Sequence, residues 1–342
     1  MGNTRKAAVA GTFYSACPET LRQNISDILD KAVDQALCGK AIIAPHAGLA
    51  YSGEIAASVY KPLRKFKNEI NKVILIGPSH YVSFMGLAVP TSDSFETPLG
   101  SIPIAKELRE IALENQEVVT MDHAHLQEHS LELHLPFLQV CLNDFTLLPL
   151  IIGESSTTTI ANVLEKIWDD NTLIIASTDL SHYMTYAEAQ EKDLITVKAI
   201  ESGKVQELDH QNACGLTPVQ GLLTFLKRKK LKAKLIDLRN SGDTSGEKDR
   251  VVGYASFICD TPSKLANIFP REQQQAILKL ARQSLEEKLL SAEAPATKKN
   301  RLPEINAATF VTLKKNGILR GCIGSLEAHR KLKKDIIENT FG

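Results

Sequence analysis

The residues with most chemical potential lie in five short segments: Pro45-His46-Ala47-Gly48, Pro78-Ser79-His80, the stretch from His123 to His134, Ser177-Thr178-Asp179-Leu180-Ser181-His182, and Ala213-Cys214-Gly215. His46 and His80 each follow a short apolar run, AIIA at 41–44 and VILIG at 73–77. Neutral imidazole is the commonest metal ligand, and loops on a rigid scaffold can bring two of them to one ion. Either histidine alone reads equally well as structural or exposed. Their equivalent placement after two strands makes the pair a candidate metal site. Cys214, in QNACGLTP at the start of a helical pattern, could add a thiolate, because a helix N-terminus and a metal both lower a thiol pKa. A buried, inert thiol is the competing reading. Asp179 and His182 stand three apart after a third apolar run, and an Asp that orients a His is an acid–base arrangement.

The stretch MDHAHLQEHSLELHLPFL carries four histidines. If it forms one helix, His125, His129 and Glu132 share a face. Its order, Glu128-His129-x-x-Glu132-x-His134, departs from His-Glu-x-x-His, so a zinc protease is a poor reading. His123 and His134 read as packing residues. No Gly-x-Ser-x-Gly is present to support a serine nucleophile. Gly242-Asp243-Thr244-Ser245-Gly246 lacks phosphate-loop spacing and reads as a turn.

These segments need elements to position them. Leu21, Ile25, Ile28, Leu29, Ala32 and Val33 recur at helical spacing and predict an amphipathic helix over 18–37; similar spacing predicts helices over 54–66, 104–115 and 157–168. Apolar runs at 41–44, 73–77, 86–90, 145–153, 173–177, 235–239 and 251–258 predict buried strands. Such strands alternating with helices imply a sheet covered on both faces, a three-layer α/β/α domain. Ligands of open α/β sheets bind beyond the carboxyl ends of the strands, and His46, His80 and Asp179 fall there. From residue 262 the pattern changes to a helix over 272–290, a flexible connection over 291–303, and two strands about an Asn316-Gly317 turn, a small α+β unit. The expected division is 1–261 and 262–342.

The 342 residues carry 40 Lys and Arg and 40 Asp and Glu, unevenly distributed. Residues 262–342 hold 15 basic and 8 acidic side chains, a balance of +7 that leaves −7 for residues 1–261. A mildly acidic main domain argues against nucleic acid as a partner. No segment has the length and apolarity of a membrane span or signal peptide. Six scattered cysteines without a CxxC pair argue against a structural zinc site and fit a reducing cytoplasm.

Eight strings in order, AGTFY (10–14), APHAGLAYSG (44–53), IGPSHY (76–81), ETPLG (96–100), EHSLELHLPFL (128–138), STDLSHY (177–183), ACGLTPV (213–219) and SGDTSG (241–246), resemble the Memo family over about residues 5–260. The resemblance implies the fold of the class III extradiol dioxygenases, with a mixed central sheet. It also implies a mononuclear metal site on His46, His80 and Cys214, with iron(II), copper or zinc as the ion. His182 matches the dioxygenase general base, Asp179 a neighbouring site residue, and His129 a position lining the pocket. The C-terminal piece, through AILKLARQSLEE and LRGCIG, resembles the beginning of an AMMECR domain and looks truncated; fusions of the two imply a radical-SAM partner protein.

Three functions follow as expectations. One is a metal-dependent oxidoreductase with His182 as acid–base, acting on a small phenolic or a modified peptide. Another is a non-catalytic protein that binds metal or peptide in the same cleft, and the third is a metallohydrolase using metal-bound water. A thiolate in place of the dioxygenase carboxylate would change redox potential and oxygen reactivity, so ring cleavage is not inherited with the fold.

Overall fold

Among the described residues, nine strands form the central sheet: β1 (Ala41–Ala44), β2 (Lys72–Pro78), β3 (Leu87–Val89), β4 (Val118–Thr120), β5 (Thr146–Ile152), β6 (Thr172–Ser177), β7 (His182–Met184), β8 (Lys232–Asn240) and β9 (Val251–Asp260). Their order is β7-β9-β1-β6-β2-β5-β3-β4, with β8 paired to β9. The four inner strands β1, β6, β2 and β5 run parallel, while β9 joins β1, and β3 joins β5, antiparallel. The sheet is therefore mixed, as the resemblance implies. The computed structural model describes residues 3–32, 39–204, 206, 208–244, 246–265, 271–290, 307, 309–315, 318–325 and 330–341.

The inner strands are apolar on both faces because helices cover both. Ile43, Ile74, Leu150 and Ile174 pack with Ile160 and Leu164 of the helix Thr157–Ile167 and with Leu222 and Phe225 of the helix Leu216–Arg228. Helices Pro18–Lys31, Leu49–Tyr60 and Leu135–Cys141 pack together and bury Leu21, Ile25, Ile55, Val59 and Leu138. Burying one such side chain is worth roughly 1.5–3 kcal/mol.

Some boundaries differ from the pattern. The first helix is described to Lys31, and residues 33–38 lie outside the described set. The second begins at Leu49, inside the segment read as a loop, with Gly48 at its N-cap; Pro62 then turns residues Lys61–Phe66 into a 3-10 helix. Residues 122–141 are not one helix. A short helix, Asp122–Leu126, ends before Glu128, a 3-10 turn spans Glu132–His134, and the next α-helix begins at Leu135 with Pro136 in its first turn. Between them Glu128 Oε1 accepts from Ser130 N–H at 2.9 Å, a local bond that competes with the helix. His125, His129 and Glu132 consequently do not share a helical face.

Two compact units are present, Met1–Ala266 and Asn267–Gly342. The second holds the helix Arg271–Leu290, the antiparallel strands Phe310–Lys315 and Ile318–Gly324, and the helix Leu332–Phe341. Asp335 knits it together, accepting from Thr309 N–H and from the Thr309 and Ser325 hydroxyls, each at 2.6 Å. The Asn316-Gly317 turn and the 291–303 connection lie outside the described residues.

Candidate metal centre

Parallel pairing brings the sequence-predicted residues to one edge. In register Ala44 faces Ser177, and Gly77 and Pro78 continue β2 beside β5. The chain leaves β1, β6 and β2 at their carboxyl ends, carrying His46, Asp179 and His80. The His46, His80 and His129 rings meet there: His80 stacks on His129 at 4.7 Å between centroids, and His46 meets both edge-on at 5.2 and 5.7 Å. One ligand atom from each lies within 4.8 Å of the others.

Cys214 is outside that three-imidazole set but touches its flank, with Sγ 3.4 Å from His46 Nε2. Its loop lies tight against the end of β6, because Gly215 has no Cβ: one placed there would meet Ser177 O at 2.3 Å. Burial first, and then the Asp179 carboxylate, push this thiol up to about 12 and outweigh the backbone N–H of Gly215, at the N-cap of the helix Leu216–Arg228, which lowers it. Without a cation Cys214 is therefore a thiol.

Asp179 does not orient His182. Its Oδ1 accepts from His46 N–H at 2.8 Å, and its Oδ2 lies 3.9 Å from His46 Nε2. His182 instead donates from Nδ1 to Leu180 O at 2.7 Å, which leaves its Nε2 as the basic nitrogen. His182 acts electrostatically on both Asp179 and His46, so it stands at the same site.

Each of the two strand-end histidines has a buried partner on its other nitrogen. Glu128 accepts from His80 N–H at 2.6 Å and from His80 Nδ1 at 2.8 Å. Burial opposes the Glu128 charge, but the bonds from His80 and from Ser130 N–H outweigh it and hold the carboxyl at about 2. His46 Nδ1 reaches Ser177 Oγ at 2.6 Å. Burial, then the neighbouring His80 and His129, hold His46 well below the usual imidazole range, and burial likewise lowers His129. His46 and His129 therefore favour the neutral form a metal needs.

A second carboxylate anchors the N-terminal segment beside the site. Buried Glu132 takes Arg5 Nη1, Ala8 N–H at 2.8 Å, Val9 N–H at 3.0 Å and Tyr14 Oη at 2.5 Å. Arg5 also donates to His125 O and Glu128 O, at 3.0 and 2.7 Å. This brings Phe13 edge-on to His129, at 5.0 Å. His123 is exposed, and buried His125 points away to Ala88 O at 3.1 Å. In the sequence Ser177 stands out only as the start of its segment and Tyr60 not at all; their signal is a polar residue ending an otherwise apolar strand and a tyrosine closing an apolar helix.

The structure thus defines an α/β protein with a cluster of three imidazoles beyond the carboxyl ends of parallel strands. The Memo family model, described as Memo-like protein, matches residues 5–258, and the AMMECR1 model matches residues 278–342. A MEMO1 family protein of Aquifex aeolicus is 36% identical over 267 residues, covering 74% of this chain and 98% of the relative. One from Methanosarcina mazei is 36% identical over 280 residues, covering 75% and 99%. One from Aeropyrum pernix is 34% identical over 279 residues, covering 73% and 97%. The chain belongs to the Memo family, with an AMMECR1-type segment following. Among the described residues, no helix is long and apolar enough to cross a membrane.

Proposed function

We propose that the cleft holds one metal ion on His46, His80 and His129, with Cys214 as a further donor beside His46, and that the bound ion serves oxidoreductase chemistry on a small-molecule or peptide ligand. The supporting observation is the approach of three imidazole donors to within 4.8 Å of one another. On a tetrahedral ion with bonds of about 2.0–2.3 Å, two donors lie roughly 3.3–3.6 Å apart. The 3.4 Å between Cys214 Sγ and His46 Nε2 fits a shared ion, and a modest inward turn would bring the three rings to the same spacing. Nitrogen and sulfur donors favour iron, copper or zinc over magnesium and calcium; iron(II) is the ion of this reading.

When bound, such an ion supplies Lewis-acid and one-electron chemistry at an open position. The chain's own groups do the rest. Glu128 keeps His80 in place, His182 offers Nε2 to take a proton from a bound hydroxyl, and Phe13 and Tyr81 flank His129 at 5.0 and 5.8 Å. One feature favours a second reading, a metal-binding protein without turnover: the three-donor set contains no carboxylate, unlike the facial triad of oxygen-activating iron enzymes.

Metal content after anaerobic purification, measured by mass spectrometry on wild type, His46→Ala and Cys214→Ala, tests the common premise. About one equivalent in wild type and none in His46→Ala is expected. Full occupancy in both variants would remove the proposal. Oxygen consumption by the iron-loaded protein with candidate phenols then separates catalysis from binding.

A further inference from the structure

Ser177 Oγ sits at a junction of three hydrogen bonds with one proton to give. It donates to Ser130 O at 2.6 Å, since a carbonyl can only accept. The other two neighbours, His46 Nδ1 at 2.6 Å and His134 Nε2 at 2.8 Å, must then both be N–H donors. With its proton on Nε2, the neutral His134 ring has a lone pair on Nδ1, and Tyr60 Oη fills it at 2.7 Å. Burial first, then the nearby His46, lower His134 to about 3, so the ring stays neutral. Tyr60, His134 and Ser177 are all buried, so water does not compete for these bonds.

We infer that Tyr60, His134 and Ser177 form a positioning relay that fixes His46 with its proton on Nδ1 and its lone pair on Nε2, toward Cys214 and Asp179. Nothing in the relay touches the ligand face of the site; each member acts through the next. Ser130 links it to the other half, giving its carbonyl to Ser177 and its N–H to Glu128, which holds His80. One residue thus ties the supports of both strand-end histidines. The inference deepens the metal-site reading and rests on it for its effect on affinity. The proton arrangement itself stands apart from any metal.

The test uses the full chain with 15N-labelled histidine, metal-free, and long-range proton–nitrogen correlation spectra. His46 is expected to show a protonated Nδ1 and an unprotonated Nε2, and His134 the reverse. Ser177→Ala and His134→Leu should shift His46 toward a mixture of tautomers and weaken Zn(II) binding, by chelator competition, about 10–100-fold. His134→Gln should keep both near wild type, because its amide can donate to Ser177 while its carbonyl accepts from Tyr60. A wild-type His46 protonated on Nε2 overturns the relay, and needs no variant to fold. So does a Ser177→Ala protein with unchanged tautomer and affinity. The expected tautomers without any Zn(II) or Fe(II) binding would instead sink the metal-site proposal and leave the relay standing.

Discussion

Glu128 holds His80 twice, by its backbone N–H at 2.6 Å and by Nδ1 at 2.8 Å, so one buried carboxylate sets both the loop and the ring. Partners of this kind orient a ligand and raise its basicity. Glu128→Gln keeps the shape and removes the charge. Its metal affinity is expected to fall about 10–100-fold, with circular dichroism unchanged. Wild-type affinity in a folded Glu128→Gln protein would dismiss Glu128 as a support.

Glu132 satisfies four donors from the first fourteen residues. Removing one partner of a buried ion pair leaves an uncompensated charge, at a cost of about 3–5 kcal/mol. Arg5→Ala should lose that much in urea unfolding. The double variant Arg5→Ala with Glu132→Gln should be less than additive, because the second change removes the stranded charge. Strict additivity would show the pair to be uncoupled.

Buried His125 donates from Nε2 to Ala88 O, and burial, its largest influence, lowers it to about 4. The unfolded chain takes up this proton near pH 6.5, before the native state does. His125 therefore contributes stability that is present above about pH 6.5 and is lost as pH falls toward 4, on the order of 3 kcal/mol in full. Urea midpoints recorded from pH 7 to 4 should decline, and His125→Gln should flatten the slope. Parallel declines in both proteins would place the acid sensitivity elsewhere.

Gly215 lets the Cys214 loop lie on the end of β6, where an added Cβ would come within 2.3 Å of Ser177 O and 2.7 Å of Thr178 Cβ. Gly215→Ala must move backbone, and overpacking of this kind costs about 1–3 kcal/mol. The variant is expected to expose Cys214, read as faster alkylation of that thiol under native conditions. An unchanged alkylation rate with unchanged stability would mean the loop yields without effect.

Much of this was legible in the sequence. Continuous apolar runs without alternation identify strands buried on both faces, and the residues just after AIIA and VILIG are those that reach the cleft. The partners of those residues were not legible. Asp179 and His182 suggested each other by spacing, yet Leu180 O is nearer to His182, and Asp179 turns back to His46 N–H, 133 positions away. The histidines of 123–134 suggested a helical face, but the Glu128 bond to Ser130 N–H and Pro136 divide the stretch. His134 read as packing because a buried ring looks the same in sequence whether its nitrogens are idle or part of a relay. Such pairings are set by tertiary register, on which local spacing is silent.

Register has a further consequence, in the order in which the molecule is made. His46 meets Ser177 and Asp179 only when β1 has paired with β6, across more than 130 residues of intervening chain. Contacts between distant segments form slowly, after loop closure has been overcome. The cradle therefore cannot exist until residue 179 has been made and β6 has paired with β1. A cation bound on those residues would stabilise the paired sheet by mass action.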